Sequence, residues 1–373
     1  MPVACRDCSD GRFLKMEENN YKPATPKCRV GIIMGGLSSE KEVSLESGRN
    51  IFSKIDRRKY APIPIFMDSR ALLWEIPLKL LMRNSTRDIE EDLEAEAAQI
   101  PYESLKERVD IVCLGLHGKY GEDGCIQGLF ELLRVPYTGS GVLASAIGMD
   151  KYVSRRILAG SGIDVPRTIP VQKTRWKTEN KNITEDIIHN IGFPCVIKPA
   201  REGCSTAVKK VVSAEGLPEA LENAFQWDDI ALVEEFISGT EITCGVLGLD
   251  NPEALIPSET IPTEEILSLE DKFLYGQGEN KTPPRLPEEQ IEKIRSTAVA
   301  AFQALNLKGY ARIDMFLLNE GRIVVLEPNT LPGMTPSTVL FHQAAALEIT
   351  QAGLIDRIIE YAKEAHKDKK GPL

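Results

Sequence analysis

The stretch from Gly309 to Thr335 constrains the fold of this chain more than any other. It contains two apolar runs rich in β-branched residues, and a turn at Asn319–Gly321 separates them. Two such runs around a glycine-containing turn are the pattern of a β-hairpin. We therefore predict two adjacent antiparallel strands near the C-terminal end of the fold.

Four polar side chains lie inside this predicted hairpin. Arg312 and Asp314 are two residues apart on the first strand, and Glu327 and Asn329 have the same spacing on the second. Because residues two apart in a strand point to the same face, pairing of the strands brings Asp314, Glu327 and Asn329 together. A surface hairpin with solvated charges is the alternative, but these charges interrupt the most apolar strands of the region.

The ligand chemistry of these side chains favours a hard cation. Three oxygen ligands without histidine or cysteine suit Mg²⁺ with bound phosphates and do not suit zinc. Arg312 beside them can offset charge that develops on a transferring phosphoryl group or on a tetrahedral oxyanion. The hairpin is therefore our first candidate for a functional site.

Length and charge limit the classes of protein to which the chain can belong. Its 373 residues are too many for one simple core and indicate two or three domains. Acidic residues exceed basic ones, 55 against 45, which argues against nucleic acid or an anionic membrane as the main partner. The sequence contains no long apolar run and no leader, so we expect a soluble cytoplasmic protein.

The cysteines and the N-terminal segment carry no clear chemistry. The 8 cysteines are scattered and several lie in apolar strand-like runs, so we expect free buried thiols. Cys5 and Cys8 have the spacing of half a zinc site, but the chain lacks a second such pair. Residues 1–28 are polar and aperiodic, and we prefer to interpret them as a disordered tail.

Glu40 follows the first predicted strand. The strand Arg29–Met34 runs into Gly35–Gly36, and a helical pattern follows from Val43 to Ile55. A strand, a glycine loop and a helix N-terminus together form a corner that favours anions. Glu40 would not hold a phosphate there but can hold an ammonium group; its alternative role is a favourable charge in the first helical turn.

His117 lies in a second glycine-rich segment, Gly115–Gly124, after the predicted buried strand Asp110–Leu114. Several glycines around one histidine at the C-terminal end of a strand favour a ligand contact over a purely structural role. Between these two corners, residues 68–108 are acidic and are predicted as a solvated helix without chemistry. Pro136–Gly141 is predicted as a linker.

Lys198 lies inside an apolar strand that begins near Phe193. A lysine in such a strand needs a partner, and phosphate is a plausible one. The next strand, Val208–Val212, would pair with it as an antiparallel flap over a nucleotide. The segment after Ile230 lacks the GxxxxGK[ST] loop, which excludes a P-loop enzyme. The long polar segment Glu264–Pro287 is predicted as a lid, because loops of this length in compact domains often close over ligands.

Five motifs, in this order, resemble the D-alanine–D-alanine ligase family of the ATP-grasp superfamily. The resemblance extends from about Val30 to Ala362. Any one motif alone is weak, but their order along one chain is specific. The motifs begin at Gly35 (GGLSSEKEVS), His117 (HGKYGEDG), Tyr137 (YTGSGV), Gly309 (GYARID) and Glu327 (EPNTLPGMT).

The resemblance implies an α/β, three-domain ATP-grasp fold. Its N-terminal domain would contain a doubly wound parallel sheet, and two further domains with antiparallel sheets would clasp ATP. The implied boundaries are 29–139 for the N-terminal substrate domain, 140–238 for the central ATP-grasp domain and 239–367 for the C-terminal one with metal site and lid. The Gly35 corner would then bind an amino acid rather than a nucleotide. Homodimers are usual in the family.

The implied reaction joins two D-alanines for peptidoglycan precursor synthesis. ATP phosphorylates the carboxylate of the first D-alanine, and the amino group of the second attacks the resulting D-alanyl phosphate. ADP and phosphate then leave. The implied cofactors are ATP and two Mg²⁺ ions, for which Mn²⁺ is an alternative.

The resemblance also implies a role for each candidate residue. ATP would contact Lys151, Lys198 and Lys272 at its phosphates, Glu234, Glu235, Phe236 and Ile237 at adenine, and Glu241 at the ribose. The two Mg²⁺ ions would bind Asp314, Glu327 and Asn329. The first substrate's ammonium group would contact Glu40, with His117 near it. The tetrahedral oxyanion would contact Arg312 and the Gly333 amide, and the second substrate's carboxylate Thr338 and Val339.

Three positions depart from the usual family pattern. The family commonly links the equivalent of Glu40 by hydrogen bonds to a serine and a lid tyrosine, where this chain has Cys204 and Phe273. A thiol is a weak donor and a phenyl ring has no hydroxyl, so this catalytic network cannot form in the usual way. Ala207 stands where a glycine is usual in the phosphate-covering loop, and we expect it to stiffen that loop.

These departures leave three hypotheses. We prefer an active D-alanine–D-alanine ligase with an altered lid contact. The second is a D-alanine–D-lactate or D-alanine–D-serine ligase, because ester-forming members often differ at the lid tyrosine. The third is a catalytically degenerate nucleotide-binding homologue, against which the intact Arg312, Asp314, Glu327 and Asn329 argue.

Overall fold

The computed structural model describes residues 27–203, 207–262 and 278–367, and these residues form three β-sheets. Several predictions lie outside the described residues: nearly all of the N-terminal tail with Cys5 and Cys8, most of the lid, and the positions Cys204, Lys272 and Phe273. Within the described ranges, every helix is too short or too polar to cross a membrane.

The first sheet has five strands in the order β4-β3-β2-β1-β5. Strand β1 is parallel to both of its neighbours, whereas β3 and β4 are antiparallel additions at one edge. The middle of β1 is entirely buried, as expected for a central strand with both faces covered. The strands are β1 Cys28–Gly35, β2 Tyr60–Met67, β3 Leu73–Glu75, β4 Ala98–Ile100 and β5 Ile111–Leu114.

Helices cover this sheet, and α1 packs directly against β1. The close packing depends on Gly48, because a Cβ atom there would lie 2.5 Å from the Cβ of Met34. The helices are α1 Lys41–Lys54, α2 Leu78–Leu81, α3 Thr86–Glu90, α4 Leu93–Glu96, α5 Leu105–Arg108 and α6 Cys125–Leu133.

The prediction of a solvated helix over residues 68–108 is wrong. The segment contains β3, β4 and four short helices, and its residues Ile89, Leu93 and Ile100 are buried in the first core. Pro77 and Pro101 lack the backbone N–H that a continuous helix needs, and each precedes a short helical turn. Apolar residues occur among the acidic ones, but their spacing is too irregular for one amphipathic helix and suits several short elements instead.

The predicted linker at residues 136–141 is packed rather than loose. Tyr137 forms a parallel bridge with Val112 and is 1% exposed. The Leu114 N–H donates to the Thr138 hydroxyl at 3.0 Å. Two short helices, α7 Val142–Met149 and α8 Lys151–Gly160, then lead from the first sheet to the second.

The second sheet has four antiparallel strands in the order β6-β9-β7-β8. The predicted antiparallel pairing of the two strands around Lys198 is confirmed, since β7 and β8 pair from Cys195–Val211 to Ile197–Lys209. The elements are β6 Thr168–Gln172, α9 Lys173–Asn190, β7 Cys195–Pro199, β8 Lys209–Val211, α10 Leu217–Ala224 and β9 Ile230–Glu235.

The third sheet has six strands and contains the predicted hairpin, which is confirmed. Its two strands, β14 and β15, pair antiparallel with Asp314 opposite Glu327 and Arg312 opposite Asn329. The register shifts between Asp314 and Met315, next to the polar residues. The strands are β10 Thr240–Gly248, β11 Glu253–Ala254, β12 Ser258–Pro262, β13 Gly278–Lys281, β14 Gly309–Leu317 and β15 Ile323–Asn329.

The last three helices connect the sheets. Helix α13 returns to the first sheet, where the Tyr60 hydroxyl lies 2.7 and 2.8 Å from carboxylate oxygens of Asp356 and Glu360. Residues of α12 and α13 belong to the same core as β1. The helices are α11 Glu288–Ala304, α12 Val339–Ala345 and α13 Gln351–Lys367.

We predict that Gly48→Ala lowers the free energy of unfolding by about 1–3 kcal/mol, because the added methyl group forces α1 away from β1. Gly128→Ala is the matched control, since Gly128 also lies inside a helix but a Cβ atom there meets nothing within 4 Å. We expect the control to be neutral or stabilising. Equilibrium urea unfolding measures both, and equal effects would contradict this account of the packing.

Candidate active site

Most of the predicted site residues converge on one cleft. A first cavity lies between the second and third sheets, and a second cavity between the third sheet and the first; Glu241 lines both. The first is lined by the predicted adenine residues Glu234, Glu235, Phe236 and Ile237. The second is lined by Glu40, His117, Lys151, Arg312, Asp314, Glu327, Asn329, Gly333, Thr338 and Val339.

Arg312 and Asp314 form a two-point ion pair on the β14 face. The Nε and Nη2 atoms of Arg312 donate to the two carboxylate oxygens of Asp314 at 2.9 and 2.8 Å. The Thr243 hydroxyl on β10 donates to the same carboxylate at 2.6 Å. Burial alone would lower the pKa of Arg312, but the carboxylates of Asp314 and Glu327 outweigh it, so the guanidinium stays charged.

Glu327 faces cations from two other elements. Its Oε2 lies 3.2 Å from the Nζ of Lys151, the first residue of α8. Burial alone would raise the pKa of Glu327, but Lys151, Lys198 and Arg155 outweigh it and hold the pKa at about 2. Glu327 is therefore ionised at neutral pH.

The remaining acceptors fit a divalent cation. The Oδ1 of Asn329 is buried and no donor in the described part of the chain bonds it. Burial, followed by the charge of Asp314, raises the pKa of Glu241 to about 7, opposed by Arg312. No three His, Cys, Asp or Glu side chains of the described ranges form a metal cluster. The donor set is thus two carboxylates and an amide, an oxygen-only set that suits Mg²⁺.

Lys198 is buried behind the cleft and has a protein partner. Its Nζ lies 3.2 Å from the Oε2 of Glu234 on β9. Burial lowers the pKa of Lys198 to about 8, although the charge of Glu234 opposes the shift. A phosphate bound to Lys198 would therefore compete with the Glu234 carboxylate for the ammonium group, or share that group with it.

Arg155 is a site residue that the sequence analysis missed. It ion-pairs with Glu234, and its Nε donates to the Leu326 carbonyl at 2.9 Å. Helix α8 is therefore bonded to the second sheet and to the third. Arg155 lies four residues after Lys151, on the same face of α8. That spacing was the available signal, but a second cation on a helix is by itself common.

The end of the cleft around Glu40 is closely packed. Glu40 occupies the N-cap position of α1 without a side-chain capping bond, and a Cβ atom on Gly203 would lie 2.5 Å from its Oε1, so a larger residue at 203 would displace the Glu40 carboxylate. Glu202 immediately precedes Gly203. Its carboxylate pairs with the Lys119 ammonium, and its backbone carbonyl accepts a hydrogen bond from the Lys151 Nζ at 2.6 Å. These contacts join Glu202 to Lys119, which follows β5 of the first sheet, and to α8.

Two further positions singled out in the sequence, His117 and Ala207, lie within the described residues. His117 lines the cleft with Glu40, but its ring nitrogens face Ser47 at 2.8 Å and Glu122 at 3.4 Å rather than open space. Ala207 adopts a φ of +53°, the left-handed conformation that favours glycine. Ala207 therefore adopts a backbone conformation that glycine reaches freely, and this conformation costs alanine about 1 kcal/mol of conformational free energy.

Two antiparallel sheets that enclose a cavity, next to a cleft lined by Lys151 and the carboxylates of β14 and β15, are the architecture of an ATP-grasp enzyme. Residues 29–140 match the family described as D-ala D-ala ligase N-terminus, and residues 157–360 match D-ala D-ala ligase C-terminus. The chain therefore belongs to the D-alanine–D-alanine ligase family.

Whole-length relatives agree with this assignment. The D-alanine--D-alanine ligase of Geobacillus thermodenitrificans is 37% identical over 357 residues, which cover 92% of this chain and 98% of the relative. That of Pelotomaculum thermopropionicum is 36% identical, with 90% and 97% covered. The family relation that the motifs indicate is confirmed.

Solved structures confirm the fold. The D-alanine-D-alanine ligase from Coxiella burnetii superposes with a TM-score of 0.80 at 27% identity, covering 92% of this chain and 96% of that one. The VanG D-Ala:D-Ser ligase from Enterococcus faecalis gives 0.78 at 29% identity, covering 90% and 100%. The Bacillus anthracis D-alanine--D-alanine ligase complexed with ATP gives 0.71 at 32%, covering 92% and 100%.

We predict that Glu241→Gln stabilises the protein increasingly as the pH rises from 4.5 to 7. Over this range the unfolded carboxyl group loses its proton while the folded one, with a pKa of about 7, retains it. Each pH unit in this range then lowers the free energy of unfolding of the parent protein by about 1.4 kcal/mol, and the glutamine variant does not undergo this loss. Urea unfolding without nucleotide or divalent cation measures it; an equal difference between variant and parent at pH 4.5 and pH 8 would contradict the prediction.

Proposed function

We propose that this chain is an ATP-dependent D-alanine–D-alanine ligase, which joins two D-alanines through D-alanyl phosphate to supply peptidoglycan precursors. One observation carries the proposal. Glu40, Arg312, Gly333 and Thr338, which come from distant parts of the chain, line a single cleft, and Glu241 connects that cleft to the cavity of the predicted adenine residues.

Charge complementarity supports ATP as the phosphoryl donor. Lys151 lines the cleft and Lys198 lies behind it, so both can offset phosphate charge; Lys272, outside the described residues, is proposed to join them. The adenine ring would lie in the cavity formed by residues 234–237 and the third sheet, with Glu241 at the ribose. ATP would thus lie between the two antiparallel sheets.

Asp314, Glu327 and Asn329 would hold Mg²⁺ at the phosphate end of this cavity. The ionised Glu327 and the buried Oδ1 of Asn329, which no donor among the described residues bonds, are suitable ligands. When bound, Mg²⁺ offsets the negative charge of the transferring phosphoryl group. Glu327 and Asp314 would then exchange part of their pairing with Lys151 and Arg312 for the cation.

The first step forms an acyl phosphate. Glu40 binds the ammonium group of the first D-alanine and orients its carboxylate towards the γ-phosphate. A carboxylate oxygen bonds to the γ-phosphorus while the bond to ADP breaks. Lys151, freed from Glu327, can follow the phosphoryl group during this transfer.

The second step forms the peptide bond. The deprotonated amine of the second D-alanine, whose carboxylate lies near Thr338 and Val339, attacks the acyl carbon. Arg312 and the Gly333 N–H stabilise the oxyanion of the tetrahedral intermediate. The bond between carbon and phosphate oxygen then breaks, phosphate leaves, and the nitrogen loses its remaining extra proton.

The identity of the acceptor is a separate proposal. D-Alanine is our choice because the matching family and most of the relatives reported above carry that name. D-Serine is the second candidate, since one structural relative is named a D-Ala:D-Ser ligase, and the departures at Cys204 and Phe273 also leave D-lactate open. By resemblance to the family we further propose a cytoplasmic homodimer with domains at 29–139, 140–238 and 239–367.

Mass spectrometry of the products tests the function. We expect D-alanine, ATP and Mg²⁺ to give D-alanyl-D-alanine, and D-serine or D-lactate added as competitors to give less mixed product than dipeptide. Glu327→Ala should abolish phosphate release, whereas Glu320→Ala, an exposed acid on the turn of the same hairpin, should not. Absence of dipeptide would refute the ligase, predominance of a mixed product would identify another acceptor, and normal turnover of Glu327→Ala would refute the metal assignment.

A further inference from the structure

Helix α1 holds the loop that carries Gly333 by two buried hydrogen bonds. The Met334 N–H donates to the Ser47 hydroxyl at 3.1 Å, and the Asn50 side-chain amide donates to the Met334 carbonyl at 2.8 Å. Ser47 is 0% and Asn50 5% exposed, so water does not compete for these bonds. Both polar groups of one loop residue are therefore fixed by a helix nearly the whole chain away in sequence.

These bonds restrain the backbone that follows the Gly333 amide. The Met334 N–H belongs to the peptide plane that follows Gly333, so fixing its direction restrains the backbone of Gly333. Glycine has no side chain to restrain itself and would otherwise sample many conformations. No acceptor in the described ranges bonds the Gly333 N–H, which lies in the cleft lining and is thus available to a ligand.

A second layer of bonds orients Ser47. Its hydroxyl lies 2.8 Å from the Nε2 of His117, whose Nδ1 lies 3.4 Å from Glu122. The Gly118 N–H donates to the same Glu122 oxygen at 3.1 Å. Because the Ser47 oxygen accepts from Met334, its one proton is available to Nε2, which places the ring proton on Nδ1, facing the carboxylate.

This Ser–His–Glu arrangement is not a nucleophilic site. Ser47 is wholly buried, and a backbone N–H already bonds its oxygen, so no acyl group can reach it. Its contacts lead instead through Met334 towards Gly333. The network therefore acts on the cleft by fixing backbone.

We infer that Ser47 and Asn50 are positioning residues for the Gly333 amide, with His117 supporting Ser47 from behind. The inference rests on the proposed function, in which that amide stabilises the oxyanion of the second step. Loss of either bond slows attack by the amine but leaves formation of the D-alanyl phosphate intact. Water then attacks the phosphorus of the waiting intermediate, which needs no oxyanion donor at the acyl carbon. The bond between phosphorus and the carboxylate oxygen breaks, and D-alanine and phosphate are released without dipeptide.

The experiment compares Ser47→Ala and Asn50→Ala with Ser44→Ala. Ser44 is the matched control, because it is a buried serine of the same helix whose hydroxyl donates to the Gly115 carbonyl at 2.9 Å and not to the loop. Phosphate and dipeptide are measured in the same reaction, together with KM for ATP. Ser47→Cys, which keeps the volume but offers a poorer acceptor, replaces Ser47→Ala if the latter does not fold.

We expect both loop-directed variants to make dipeptide roughly tenfold more slowly or worse, as for a weakened oxyanion donor. They should release more phosphate than dipeptide at an unchanged KM for ATP, whereas Ser44→Ala should release equal amounts, like the parent. A merely structural role would lower both products together.

Equal phosphate and dipeptide in Ser47→Ala and Asn50→Ala, at rates like those of Ser44→Ala, would overturn the inference and leave the ligase intact. A parent protein that makes no dipeptide would instead overturn the proposed function itself. The two failures are thus distinguishable in one set of reactions.

Discussion

The buried ion pairs around α8 are the interaction on which the rest of this structure depends. Lys151 faces Glu327 on the third sheet, and Arg155, one helical turn later, pairs with Glu234 on the second. A buried charge without a partner is strongly destabilising, so each carboxylate requires the cation that meets it. The helix therefore holds the two clasping sheets in register while it lines the space between them.

The same pairs prepare the cleft for its ligands. Lysines and carboxylates that neutralise each other across the cleft can exchange partners for phosphate and a divalent cation without leaving any group unpaired. Glu327 stays ionised because cations surround it, whereas burial and, after it, the charge of Asp314 raise the pKa of Glu241 to about 7. Position in one network thus gives two glutamates opposite behaviour.

Local patterns in the sequence predict the parts of this site that depend on local geometry. The two-residue spacing of Arg312 and Asp314, repeated at Glu327 and Asn329, is sufficient to predict one polar face, because strand alternation is a local property. The hydrogen bonds from Ser47 and Asn50 to Met334 could not be predicted, since they join residues from opposite ends of the chain that share no pattern. A serine and an asparagine inside an amphipathic helix are unremarkable until the tertiary contact is known.

Composition is a poor guide to burial in two segments of this chain. Residues 68–108 are acidic, yet they supply two strands and buried apolar side chains to the first sheet, because irregular spacing suits several short elements. The glycine-rich segment 136–141 likewise pairs with a strand. Both errors treat polar or glycine-rich composition as exposure.

The central claim is that side-chain oxygens from β14 and β15 coordinate Mg²⁺, so that ATP can phosphorylate a substrate carboxylate. A crystal structure with ADP and Mg²⁺ tests it most directly. The account predicts oxygens of Asp314, Glu327 and Asn329 at about 2.0–2.1 Å from metal ions that also contact phosphate, with Lys151 turned from Glu327 to the nucleotide. Carboxylates that still point at Arg312 and Lys151, with the cation bound elsewhere, would contradict it.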